Sequence, residues 1–318
     1  VLKSLESFLN LQFDEYELII VDNASSDGSF EIIKKYIENK RSKVKVIRNA
    51  ENLGYAGGMN VGWEARDKDS RYVAFANNDL IATPDSLAKL VECLESDPDV
   101  GACSGLIYFG DGRTVYTAGC WVDEIWMAAG LCHEAPRDTC PGLEKEYYVT
   151  YPDGAYSIVK VEAVKKAMPH GKPFFDETFL YLDDYLLGLA LWNKGFKVKY
   201  FPYEMALHFH GKTKAKSFYG YRAHIALSYL VHTRYILLRN MLMLERQIYH
   251  LFDRTKSRAL KEGITLGKSL INKLGQLDLY CAPHLKRDLV TAVTMLLPLP
   301  RPSLGRPVRP GELSPSIR

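Results

Sequence analysis

Long apolar runs are missing from this chain. No stretch of about 18 uninterrupted apolar residues occurs, so nothing in it reads as a membrane span, and its opening residues do not read as a signal peptide. An excess of one charge is missing too. The net charge is +3 over 318 residues, with a quarter of them charged, which makes no case for nucleic acid. The six cysteines (Cys93, Cys103, Cys120, Cys132, Cys140 and Cys281) form no CxxC pair. Several sit in apolar runs, so the expectation is buried free thiols in a reduced, cytoplasmic protein. Cys120, Cys132, His133 and Cys140 match no common zinc spacing. A Walker loop and GxGxxG are also absent.

What is present begins with Tyr72-Val73-Ala74-Phe75-Ala76, an uncharged β-prone run that stops at Asn77-Asn78-Asp79. In open α/β sheets ligands bind beyond such strand ends. A carboxylate there offers the hard oxygen that suits Mg²⁺ or Mn²⁺ on a diphosphate. The same residues also suit an Asx turn capping the next helix.

The rest of the chain repeats this plan. Residues 1–11 read as an amphipathic helix. Tyr16 to Val21 is a strand that ends in Asp22-Asn23 and a glycine-containing loop, followed by a helix from Phe30. Asp22 is placed to accept hydrogen bonds from a base or ribose, or to cap its own loop. Val44 to Arg48 is a further strand, leading to Asn52-Leu53-Gly54-Tyr55-Ala56-Gly57-Gly58-Met59-Asn60-Val61-Gly62, where glycines permit close backbone approach to an anion at a helix start. A helix from Pro84 and a strand at 100–106 complete a β-α-β-α-β alternation, which predicts a mostly parallel sheet flanked by helices. Residues 108–151 lose that rhythm. Asp153-Gly154-Ala155 precedes another strand, and an aromatic approach ends in Asp183-Asp184 at a helix start. Those two acids complement the helix dipole or, desolvated, make a general base. Strand 196–201 and an extended segment carrying His208 and His210 follow; alternation lets at most one of the two histidines enter a site. Residues 215–300 read as a basic, amphipathic helical extension that either packs on the first domain or lies on an anionic membrane. Residues 301–318, rich in Pro and Arg, read as a disordered tail.

Taken in order, Ile20 to Ser29, Asn52 to Gly62, Asn77-Asn78-Asp79, Asp153-Gly154-Ala155, Tyr181-Leu182-Asp183-Asp184, and His208 with Gly211 and Thr213 resemble the family-two inverting glycosyltransferases, in their rhamnosyltransferase-like branch. The set is far more specific than any one of its members. The resemblance implies a GT-A fold over residues 1–214. It implies transfer of a sugar from a nucleotide-diphospho-sugar, dTDP-rhamnose or a UDP-sugar, to a glycan or lipid-linked acceptor in cell-surface polysaccharide synthesis, with peripheral contact on the inner membrane face. Asp22, Asn23, Asn52, Gly54, Gly57, Gly58, Asn60 and Asn78 would then line the donor site. Asp79, Asn77 and His208 would hold Mg²⁺ or Mn²⁺, with Asn77 standing in an acidic slot. Asp184, beside Asp183, would be the base, and Asp153, Gly154 and Ala155 would face the acceptor. The family's opening strand has no counterpart after Val1, and Leu186 and Ala190 replace its later Asp and Arg. A nucleotidyltransferase and a catalytically degenerate sugar-nucleotide-binding scaffold are the competing readings.

Overall fold

The computed structural model describes residues 1–38, 44–125, 128–209, 216–249 and 253–286. His210, Gly211, Thr213 and the 301–318 tail lie outside them. Helix α1 (Leu2–Leu9) buries Leu5 and Phe8. Strand β1 (Leu18–Asp22) leads through helix α2 (Ser29–Ile37) to β2 (Val44–Arg48), its parallel partner in a two-stranded sheet. Next come α3 (Gly54–Ala65), β3 (Tyr72–Ala76), a short β4 (Leu80–Ala82) and α4 (Ser86–Glu95). Strand β5 (Val100–Phe109) is followed by β6 (Val115–Thr117), β7 (Cys120–Asp123), β8 (Ala128–Gly130) and β9 (Tyr147–Tyr148). Strand β10 (Tyr156–Lys160), α5 (Val161–Ala167), α6 (Asp183–Asn193) and β11 (Lys197–His208) complete the first half. The C-terminal part holds α7 (Lys216–Leu230), β12 (Val231–His232), α8 (Ile236–Tyr249), α9 (Arg254–Leu274), β13 (Leu277–Asp278) and β14 (His284–Leu285).

The main sheet runs β3-β10-β5-β11-β4, with β6 on β5 and β9 on β11. It is mixed rather than mostly parallel, which corrects the alternation-based expectation. Strand β10 lies between β3 and β5 and is antiparallel to both, whereas β5 and β11 are parallel. The cause is the stretch after β5. Its short strands keep the chain at the end of the sheet where β5 finishes, so β10 enters there antiparallel to β5, without a crossover helix.

Helices cover both faces. Ala102, Leu106 and Tyr108 of β5 enter one core with Trp63, Leu186 and Leu189, while Cys103 and Ile107 enter another with Phe8, Leu90 and Leu94. A strand alternating between two dry layers needs no polar face, which is why β5 is apolar almost throughout. The C-terminal part is interlocked with the first half: β14 pairs with β7. Helices α7 and α9 approach closely, with no room for a Cβ at Gly263 beside the Arg222 carbonyl and Ile225.

The cysteine expectation is corrected as well. Cys93 is bonded to Cys103 and Cys132 to Cys140, while Cys120 is a buried free thiol and Cys281 an exposed one. Both pairs have Cα separations within disulfide reach, 6.5 and 5.9 Å. The first joins α4 to β5 across a helix-sheet contact that spacing in sequence does not reveal. The thiol-based argument for a reducing compartment falls with these bonds. Among the described residues, no helix is long and apolar enough to cross a membrane.

Candidate active site

Two acidic corners lie near one another at the strand ends. In the first, β4 pairs antiparallel with the end of β11, setting His208 opposite Leu80. Asp79, one residue earlier, therefore comes alongside the imidazole, with Oδ1 3.0 Å from Nε2. His208 is only 1% exposed on its side chain, Asp79 34%. The ring of Tyr116 stands edge-on to His208 at 4.3 Å. A carboxylate oxygen at a half-open edge is a donor that suits Mn²⁺ or Mg²⁺, and the ring nitrogen beside it favours Mn²⁺ over the harder Mg²⁺. No group of three or more His, Cys, Asp or Glu converges among the described residues. A cation held by Asp79 and His208 would thus take its other ligands from substrate or water oxygens.

The second corner is Asp183-Asp184. The backbone entering it is strained: Phe179, Tyr181 and Leu182 have φ of 59°, 62° and 76°. Non-glycine residues hold such angles only where surrounding packing fixes them, a condition found most often at functional sites. Part of that packing is Gly54, whose missing Cβ would lie 2.3 Å from the Phe179 carbonyl oxygen. Asp183 is buried and Asp184 half-buried, with Asp184 Oδ1 accepting from the Tyr185 amide at 2.9 Å. Desolvation raises the pKa of both. Asp184 is pushed up further by the neighbouring charges of Asp183 and Asp153, while Thr178 and the Arg222 guanidinium partly offset the rise at Asp183.

The loop 153–155 connects the corners. A Cβ on Gly154 would sit 3.1 Å from Asp184 Oδ2, and the Ala155 carbonyl accepts from the Asn77 amide at 2.9 Å. The phenol of Tyr116 is raised by burial and then by the charges of Asp153, Asp184 and Asp79, so one side chain feels both corners. Asp153 itself is buried and accepts from the Ala155 amide (2.8 Å) and the Cys120 thiol (3.5 Å). Tyr55 donates to the Gly154 carbonyl at 2.7 Å. Tyr116, Tyr55, Cys120 and Arg222 are additions from the structure. Tyr116 and Cys120 fall in the stretch whose periodicity fails, and no local spacing marks the other two.

Most of the other expected donor residues make contacts within the fold rather than with Asp79 or Asp184. Asp22 Oδ2 lies 3.4 Å from Arg48 Nε and accepts from the Ser25 amide. Asn23 donates to the Gly54 carbonyl and accepts from Asn49. Asn52 caps the Gly54 amide, and Asn60 donates to Phe174 and Asp176. A Cβ on Gly58 would meet the Asn23 amide at 2.7 Å. Asn52, Gly57 and Asn60 do line an open hollow of about 680 Å³, but with Glu51, Glu64, Asp176 and a single Lys172. Three carboxylates against one ammonium disfavour a bare diphosphate there. Asn78 is exposed at the turn.

The mixed sheet flanked by helices is that of the GT-A fold. The comparisons agree. The family model for Glycosyl transferase family 2 matches residues 1–140. An uncharacterized glycosyltransferase of Methanocaldococcus jannaschii is 33% identical over 111 residues, 34% of this chain and 37% of the relative. A poly-beta-1,6-N-acetyl-D-glucosamine synthase of Staphylococcus aureus is 31% identical over 102 residues, 32% of this chain and 24% of the relative. The match spans about a third of the length of the first curated relatives. A mannosyltransferase of Pyrobaculum calidifontis, solved with GDP-Man and Mn²⁺, superposes with a TM-score of 0.52 at 15% identity, over 93% of this chain and 74% of that one.

Proposed function

We propose that the protein is an inverting glycosyltransferase that moves a sugar from a nucleotide-diphospho-sugar to a hydroxyl of a glycan or lipid-linked acceptor. The observation that carries this reading is the loop 153–155, which ties the Asp184 carboxylate to the turn bearing Asp79. Asp184 takes the acceptor's proton as its oxygen bonds to the anomeric carbon and the carbon–oxygen bond to the diphosphate breaks from the opposite face. One displacement inverts the centre and needs no enzyme nucleophile. A raised pKa gives the carboxylate the basicity this step requires. Asp79 and His208 would hold a divalent cation, with Asn77 two residues before Asp79 in the same turn; when bound, the cation would neutralise charge on the leaving diphosphate. Asp153, Gly154 and Ala155 shape the acceptor side, and Asp22, Asn78 and the Asn52–Asn60 loop the donor side.

Support for polysaccharide synthesis comes from the staphylococcal relative's name, and for a nucleotide sugar with Mn²⁺ from the ligands of the mannosyltransferase. We place the acceptor on a lipid carrier, with the protein in peripheral contact with the membrane, and take dTDP-rhamnose or a UDP-sugar as donor. A donor panel with Mn²⁺, read by nucleoside diphosphate release and its loss on chelation, tests the reading. Release of pyrophosphate instead makes the protein a nucleotidyltransferase, and calorimetric binding of a donor with no turnover makes it a degenerate scaffold.

A further inference from the structure

Helix α8 wears its apolar side outward. Leu237, Met241, Leu244 and Ile248 are 77%, 59%, 58% and 61% exposed, and their 4-3-4 spacing sets them in one row. Five of the ten exposed large hydrophobic residues among the described residues, Ile236 included, lie on this helix. The inward side is held differently. Leu238 packs with Ile225 and Leu260, and Arg239, only 2% exposed, donates to the Val231 carbonyl at 2.7 Å. The helix is thus anchored through one side and offers the other.

We propose that this row is the surface by which the protein lies on an anionic lipid membrane. The proposal deepens the peripheral contact suggested above by naming the element that makes it. Charge argues for lipid. From Arg234 to Glu262, leaving out the inward Arg239, the chain has six Lys or Arg against three Asp or Glu, a net +3 that equals the total of the whole chain, so the remainder is neutral. Apolar residues on a basic helical segment match the interface of anionic lipids, each cation near the surface adding attraction. A second copy in the same place would bring two basic segments together. Area argues the same way. Twelve residues of helix give a strip about 18 Å long and, at roughly 10 Å wide, about 200 Å², far below the roughly 800 Å² per partner of a stable dimer.

The test is flotation of the full chain with phosphatidylcholine vesicles, with and without about 30% phosphatidylglycerol. The anionic vesicles are expected to carry the protein up, the neutral ones to bind it several-fold less, and about 0.5 M salt to weaken the anionic binding. Leu237→Glu with Leu244→Glu should cut the bound fraction at least about tenfold with the thermal midpoint unchanged, because both side chains are exposed. Should the pair fail to fold, Met241→Gln alone should cost several-fold. Wild type left at the bottom of the gradient overturns the membrane contact itself. Wild type and variants floating equally overturn only the role of α8. A dimer in lipid-free sedimentation, abolished by the same substitutions, assigns the row to a second copy instead. Nucleoside diphosphate release in solution judges the enzymatic reading separately.

Discussion

The corners of the site differ in how they treat charge. Asp79 is a third exposed and faces a nitrogen of His208, so its carboxylate stays hydrated on one side and partnered on the other. Asp183 and Asp184 are withdrawn among Tyr55, Tyr151 and Tyr185, with Asp153 adding a further acid. Identical side chains are thereby placed differently: Asp79 keeps one side open to solvent, while desolvation raises the proton affinity of Asp183 and Asp184. In environments of this kind, desolvation and like charge decide the outcome over intrinsic acidity.

The contrast is broken most severely at Asp184. Asp184→Asn should lower transfer by about 10²- to 10⁴-fold while calorimetric donor affinity stays at the wild-type value. A variant with undiminished turnover removes Asp184 from the chemistry. Next in size, Asp79→Ala should raise the Mn²⁺ concentration for half-maximal turnover by about 10- to 100-fold, with His208→Gln acting in the same direction. Equal cation requirements in wild type and both variants would mean that this corner holds no metal. The smallest effect sharpens the comparison through stability. Burial pushes Asp183 up to about 6, from 3.8. Its ionisation therefore costs stability as pH rises through that value, whereas below about 4 both folded and unfolded states hold the proton. Asp183→Asn should gain on the order of 2 kcal/mol in urea unfolding at pH 8 and almost nothing near pH 3.5. A gain equal at both pH values would point to packing instead of charge.

Much of this was legible in the chain. The uncharged runs ending in Asp22 and Asp79 marked strands whose ends carry acids, the strong 3.6-residue patterns marked α1 and α4, and the acids at its head and the glycine after it marked α6. The direction of β10 was not legible, because a short apolar strand reads the same in either sense and the connection before it has no periodic pattern. Tyr116 was hidden for a related reason: its role comes from β6 pairing with β5, a contact made by a turn and not by any spacing near it. The glycines of the 54–62 segment were read as room for an anion, while Gly54 and Gly58 make room for Phe179 and Asn23. Sequence reports that a Cβ is absent, but only the fold says what fills the space.

Strand β11 contains slack. From Phe201 to His208 it spends eight residues alongside only five of β5, the excess taken up in two irregularities. Drawn straight, those three surplus residues would carry the imidazole about 10 Å farther along the sheet, well past Asp79. The distance between acid and imidazole is accordingly set at residues 201–206, outside either partner, and straightening that stretch at its present length would separate them with every polar side chain of the corner still in place.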